Sequence, residues 1–371
     1  MQRKNMFMKN IQCTALALMI SLSALAGNKD RSGQAGAGEL LMNPWGRSTG
    51  LFGLNGAQVS GIEAMKVNIA GLSKTPKTEF GLAHTRYLSG TGTSISNLGI
   101  AHNLGEVGVL GVNVMTMSFG EIPITTENSP EGGLGTYKPS FLNISVGLGH
   151  TFSKNMSAGL NMTYVNEAIS NIRASAVGFD AGIQYTNGKD DNLHLGISLR
   201  NVGTNLRFNG DGFSFNGTSP DFGKQITVQS RSDKFQLPSQ LNIAAAYDFY
   251  LDKPTSADDK AQEEFVPKHR LTPMLSFISN SFSSDWLGLG AEYAFKETFM
   301  ARVAYRYESN IFSATETTTF YTGISAGVTF QTNLGDNKLA FDYSFRPTRI
   351  ASGVHVLGLR FALNSKEAAE D

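Results

Sequence analysis

The chain has 371 residues, and its 31 Lys and Arg are balanced by 31 Asp and Glu, so no bulk attraction to nucleic acid is expected. The one cysteine, Cys13, falls in a leader-like stretch, which removes disulfides, a thiol nucleophile and cysteine metal sites from the mature protein. Beyond the leader no stretch approaches 18 uninterrupted apolar residues, which excludes membrane-spanning helices.

Residues 1–26 read as a signal peptide. Arg3, Lys4 and Lys9 precede the apolar run IQCTALALMISLSALA, and Ala24-Leu25-Ala26 supplies a small-x-small cleavage site, with cleavage expected after Ala26. Residues 27–76 lack the strand-like alternation of the rest of the chain. SGIEAMKVNIAGLSK mixes Ile62, Ala64, Met65 and Val67 with Glu63 and Lys66, a short helix or turn that is expected to tuck into the periplasmic mouth of a barrel as a partial plug.

From residue 77 to 363 the apolar residues recur with period two, the strand period. Fourteen strands are expected, at about 77–87, 95–103, 106–119, 140–152, 155–168, 176–186, 192–202, 238–251, 266–280, 284–296, 299–309, 318–331, 335–347 and 353–363. Residues 176–201 show the pattern best. Phe179, Ala181, Ile183 and Tyr185 oppose Asp180, Gly182 and Gln184. Across the TNGKDD turn, Leu193, Leu195, Ile197 and Leu199 oppose His194, Gly196, Ser198 and Arg200. A soluble sandwich would bury the apolar face; a membrane barrel turns it to lipid and keeps the charges in its lumen.

Three features favour the barrel. Aromatic residues gather at strand ends, among them Phe152, Tyr185, Tyr293, Phe295, Tyr305, Tyr307, Phe345 and Phe361, as in an interfacial girdle. The polar faces carry charges of both signs, which a dry core would not tolerate unpaired. Connections alternate in length, with short ones such as SKN, KET and NLGDN opposite long ones at 120–139, 203–237 and 310–317; 252–265 is a long exception. The fold expected is all-β, a 14-stranded antiparallel transmembrane β-barrel in the outer membrane. Both termini are then periplasmic, with 364–371 a solvated tail.

Candidate sites emerge from this layout. Asp180, Arg200, Asp248, Glu292, Arg306, Asp342 and Arg360 lie on inward faces; they form either a selectivity ring or a paired network that fills the lumen. Gly182, Gly196, Gly288 and Gly290 on the same faces leave room for large neighbours or for an inward segment. The long loop 203–237 carries Phe208, Phe213, Phe215 and Phe222, which either bind a partner protein or pack over the barrel mouth. The six histidines form no close ligand pair, and neither a G-x-S-x-G elbow nor a P-loop occurs. No metal, cofactor or catalytic residue is expected, although a Ser-His pair brought together across strands would escape this reading.

The stretch ELLMNPWGRSTGLFGLNGAQVSGIEAMKVNIAGLSK resembles the opening of the PorV/PorQ family of outer-membrane proteins, which is related in fold to the FadL-type fatty-acid transporters. The matching positions are Arg47, Gly50, Gly53, Gly56, Ala57, Glu63, Ala64, Asn68, Ala70, Gly71 and Leu72; Ile69 stands where the family usually has proline. The resemblance implies a non-enzymatic, FadL-like accessory barrel of type IX secretion, a Bacteroidota export route. Its partners would be the large translocon barrel, cargo C-terminal signal domains, or both, in contact with outer-membrane lipid. The alternative is a FadL-like channel for hydrophobic small molecules, kept open by the apolar residues on both faces of 109–119. A lipid-modifying enzyme is a third reading.

Overall fold

The computed structural model describes residues 31–188, 190–218, 223–252, 268–313 and 315–363. The leader with Cys13, loop residue Phe222, most of the 252–265 connection and the tail 364–371 lie outside the described residues.

Fourteen long antiparallel strands close into one barrel. They are β1 (Thr78–Arg86), β2 (Ser94–Asn103), β3 (Val109–Ser118), β4 (Ser140–Ser153), β5 (Met156–Ile169), β6 (Ile172–Asn187) and β7 (Leu193–Gly203). The second half holds β8 (Gln240–Tyr247), β9 (His269–Asn280), β10 (Trp286–Phe295), β11 (Phe299–Glu308), β12 (Ile324–Leu334), β13 (Asn337–Arg346) and β14 (Val354–Leu363). Each pairs with the next, and β14 closes on β1 with Thr78 opposite Leu363. Two short pieces, Phe208–Gly210 and Phe249–Tyr250, lean on β6 and β9.

Each expected strand has its counterpart. The largest shifts have local causes. β6 starts at Ile172 rather than 176, because the strand runs on past its apolar face with Arg173 and Ser175 exposed. β12 starts at Ile324 rather than 318, because Tyr321 is drawn off to bridge Thr348. The wall is one layer thick. Outward leucines such as Leu160 and Leu289 are 68% and 59% exposed, so no second sheet covers them and lipid is what they are built to meet.

At one end of the barrel the connections are short, 104–108, 154–155, 188–192, 296–298 and 335–336, except for the long β8–β9 connection at 248–268. At the other they include the long 119–139, 204–239 and 309–323, alongside the short β5–β6 and β9–β10 connections at 170–171 and 281–285.

Residues ahead of β1 run through the lumen. They form short helical turns at Gly38–Leu41, Gly46–Thr49, Leu54–Ala57, Gly61–Lys66 and Ile69–Lys74. Leu51, Leu54, Ile62 and Leu72 of this inner segment are fully buried. The wall makes room for it with glycine. A Cβ on Gly81 would lie 2.5 Å from Trp45, on Gly111 2.7 Å from Met65, on Gly147 2.7 Å from Ile69 and on Gly288 2.1 Å from Leu54. Those separations are too close for any larger residue without displacing the segment.

The segment enters at the long-loop end. Arg31 donates to Gln236 at 2.9 Å and stacks 4.2 Å from the Phe282 ring, both in odd-numbered connections. It leaves at the short-turn end, where β1 begins beside the end of β14. Strand parity alone puts both termini on the short-turn side; Leu363 lies there, but Arg31 lies at the opposite mouth. A segment that fills the bore along its length has to start at one mouth and finish at the other.

Candidate functional site

The inner segment is locked to the wall by ionic and hydrogen-bonded contacts that use the N-terminal motif residues. Arg47, in the turn Gly46–Thr49, donates through Nη2 to Glu292 Oε1 at 2.8 Å and through Nε to Oε2 at 3.2 Å, the bidentate geometry that suits guanidinium and carboxylate. Glu292 on β10 also lies 3.2 Å from Arg302 on β11 and 3.3 Å from Arg270 on β9. Arg302 donates to the Thr329 hydroxyl, which donates to Asp342. Asp342 accepts from Arg360 Nε at 2.8 Å, and the same Nε lies 3.4 Å from Glu63 of the inner segment. Ser48 donates to Glu63 at 2.7 Å.

The other motif positions hold or approach backbone groups. Asn68 donates to the carbonyls of Gly56 at 2.9 Å and Ile183 at 3.0 Å, while its Oδ1 accepts from Ala70 N at 3.2 Å. A Cβ on Gly71 would sit 1.9 Å from the Val59 carbonyl oxygen. Gly53 has φ of 76°, the left-handed region. On Gly50 a Cβ would come within 3.2 Å of Arg302 and Gly327, and its carbonyl accepts from Ser325 at 2.9 Å.

Of the seven inward charges that alternation marks, the structure brings Glu292, Asp342 and Arg360 into this one network. Asp248 joins it through Arg270 at 3.4 Å and also lies 3.0 Å from His194 Nε2. Asp180 and Arg200 stand apart on β6 and β7. Asp180, at a bulge, accepts from Asn161 at 2.8 Å and from Asn201 N at 2.6 Å. Arg200 donates to the Lys66 carbonyl oxygen and to Gln240 at 3.0 Å. Arg306 is at the long-loop mouth, 2.5 Å from Glu308. Arg302 and Arg270 are network members that the sequence reading lacks, although Arg302 shares the inward parity of Arg306 on β11.

Electrostatics reflect burial and pairing. The Glu292 carboxylate raises the Arg47 guanidinium above its ordinary value, whereas burial raises Glu63. Burial, with repulsion from Arg200, pushes Lys66 down to about 8 from 10.5. Between those values the unfolded chain binds more protons at this lysine than the folded one, so stability rises with pH. Lys66→Met is expected to flatten that rise when unfolding is followed from pH 8 to 10.5; an unchanged slope assigns it to another group.

The segment divides what space is left. A vestibule of about 410 Å³ opens at the long-loop mouth, lined by Phe52, Tyr87, Trp286, Tyr321, Arg306 and Arg346 among others. Arg306 lies 4.8 Å from the Trp286 ring and Arg346 4.8 Å from that of Tyr321, so cations and aromatic faces alternate there. A smaller hollow of about 270 Å³ at the short-turn mouth holds Arg47, Lys74, Glu79, Lys338 and Arg360.

The long-loop aromatics split. Phe208 packs down on Phe235, with ring centroids 6.3 Å apart, beside the buried cluster of Leu40, Leu206 and Leu237. Phe213 is half-buried, and Phe215 is 56% exposed on a hairpin formed by Ser214–Thr218 and Gln225–Gln229.

Residues 135–348, from just ahead of β4 to just past β13, match the family model described as type IX secretion system membrane protein PorP/SprF. The chain belongs to the PorP/SprF family. That match lies outside the N-terminal motif, so type IX membership rests on the barrel rather than on the PorV/PorQ-like residues. No curated protein matches the chain. Among solved structures, the CymD monoaromatic hydrocarbon channel superposes with a TM-score of 0.51 at 12% identity, covering 87% of this chain and 98% of that one. The Pseudomonas putida toluene transporter TodX gives 0.49 at 13%, covering 86% and 96%. At such identity the likeness to CymD is one of fold: a PorP/SprF chain built as a FadL-like outer-membrane barrel.

Proposed function

We propose that the protein is a non-enzymatic accessory barrel of the type IX secretion system that works by binding at its long-loop mouth. Its partner there is the translocon barrel or the C-terminal signal domain of exported cargo. The observation that supports this most is the inner segment, clamped by Arg47 on Glu292, which runs through the bore with a hollow at each mouth. A barrel filled in this way is suited to presenting a surface. The long-loop end offers one, with Phe215 exposed on its hairpin and the cation-aromatic vestibule beneath. Aromatic residues and arginine are the side chains that dominate protein interfaces. The N-terminal motif supports a PorV/PorQ-like escort or anchoring role within the same system.

Deleting 209–230 is expected to abolish co-purification with the translocon barrel and with C-terminal-domain cargo, while the barrel still migrates as a folded, heat-modifiable species. Partner recovery equal to that of the full chain would overturn the binding role of this loop.

A channel for hydrophobic small molecules is the second reading, because CymD, described as a hydrocarbon channel, shares the architecture. Such a role needs an apolar path, and both hollows here are lined by Arg and Glu side chains.

A further inference from the structure

The outward face of the wall is not uniformly apolar. On β10 the outward residues Leu287, Leu289, Ala291, Tyr293 and Phe295 stay apolar from end to end. On β1 the outward positions are Thr78, Phe80, Leu82, His84 and Arg86, so only two are apolar. A strand of about 9–11 residues crosses a bilayer, and β1 has nine, which puts His84 within the apolar band or at its edge. The strands alongside continue the change in register. Ser96 and Thr116 stand beside His84, and Ser94, Ser118 and His355 stand beside Arg86.

Two adjoining outward hollows lie over this sector. The lower, of about 850 Å³, is walled by Leu82, Leu98, Val328, Phe330, Phe341 and Leu357. The upper, of about 1100 Å³ and nearer the long loops, is lined by His84, Arg86, Ser94, Tyr343, Ser352 and His355 among others, with no carboxylate. They share His84, Tyr343 and Leu357. Asp342, the one acid against the lower hollow, is taken up on the inside by Arg360 and Thr329. His84 Nδ1 is 3.2 Å from Ser96 Oγ, and His355 Nδ1 is 2.9 Å from the Tyr343 hydroxyl, so one nitrogen of each ring is left for another partner. Arg86 is exposed and has no carboxylate partner among the described residues.

We propose that β13, β14, β1 and β2 form an outward binding site for one membrane lipid with an anionic, phosphate-bearing headgroup. The headgroup sits among Arg86, His355, His84 and Ser94, and an acyl chain lies in the groove of Leu82, Leu98, Leu357 and Phe341. The bilayer supplies this ligand directly, and an unpaired guanidinium at the edge of the apolar band is matched by a phosphate in both charge and geometry. The site is independent of the partner-binding role proposed for the long loops.

The test is native mass spectrometry of the full chain released from detergent, titrated with phosphatidylglycerol and, separately, with phosphatidylcholine of the same acyl chains. Phosphatidylglycerol adducts are expected at about tenfold lower lipid concentration, a preference that charge-assisted hydrogen bonds supply. The Arg86→Gln/His355→Gln double variant is expected to lose that preference, whereas Arg86→Lys keeps part of it and Arg173→Gln, on β6, keeps all of it. Equal adducts for the two lipids overturn the site. So does a preference that survives the double variant, or one lost equally in Arg173→Gln. A photo-crosslinker at Leu82 in native membranes serves if the double variant does not fold: lipid adducts support the site, and adducts with another protein overturn it.

Discussion

Gly182→Val is expected to unseat the inner segment and raise the conductance of the barrel. A Cβ at this position would lie 2.1 Å from Asn68 Oδ1 and 3.3 Å from Ile69 N, and a branched side chain reaches further. Asn68 has no slack to give, since its amide is held by the Gly56 and Ile183 carbonyls at 2.9 and 3.0 Å. β6 has none either, being paired along its length to β5 and over most of it to β7. The wall is continuous hydrogen-bonded sheet, while the segment is a chain of short turns, so the segment moves. Planar-bilayer recordings are expected to show stable conductance above that of the parent protein, and trypsin to gain access at the buried Lys66. Parent-like recordings together with parent-like protection would mean that the wall bends instead. Gly196→Val, where a Cβ would meet the Gly56 carbonyl oxygen at 2.5 Å, probes the same contact from the next strand.

The largest loss of stability is expected at Glu292→Ala. Glu292 is fully buried and faces Arg47, Arg302 and Arg270 within 3.3 Å. Removing it leaves three guanidiniums sharing the remaining acids, and breaking a buried ion pair from one side costs about 3–5 kcal/mol. Of the two tryptophans, Trp45 lies in the inner segment and Trp286 on β10, so denaturant unfolding in micelles followed by fluorescence reads guest and wall together. Glu292→Gln, which keeps the volume and some hydrogen bonding, is expected to fall between the alanine variant and the parent. A loss under about 1 kcal/mol in both would show that the network is no stronger than a surface pair.

The wall was legible because its information is local. Period-two alternation from Phe179 to Tyr185 or from Leu287 to Phe295 needs no knowledge of the partner strand, and the alternation of short and long connections then gives the ends. The inward glycines were legible as vacancies, but not what fills them. Arg47 meets Glu292 across 245 residues, and nothing in the spacing of either names the other. Arg302 was the more accessible omission, because carrying the parity of Arg306 back along β11 by two periods of the pleat reaches it. The path of residues 31–76 was the least legible part. Their burial is conferred by Gly81, Gly111, Gly147 and Gly288 on the wall, so their own pattern, neither helical nor strand-like, shows little of it. The polar notch on β1 was readable in His84 and Arg86, but its meaning depended on Ser96, Thr116 and His355 arriving beside them in register.

Strand number and stagger set a barrel's bore, and about eight strands already give a bore that the wall's own side chains just fill. Fourteen strands lined with glycine make a sleeve far too wide for that. Wall and guest are therefore two halves of one mould: the β1–β14 seam closes around a chain that runs from mouth to mouth, and the guest is covalently the start of the strand that makes the seam. In the finished fold the segment has the part of a mandrel, the form to which the inner surface of the closed sheet is cut.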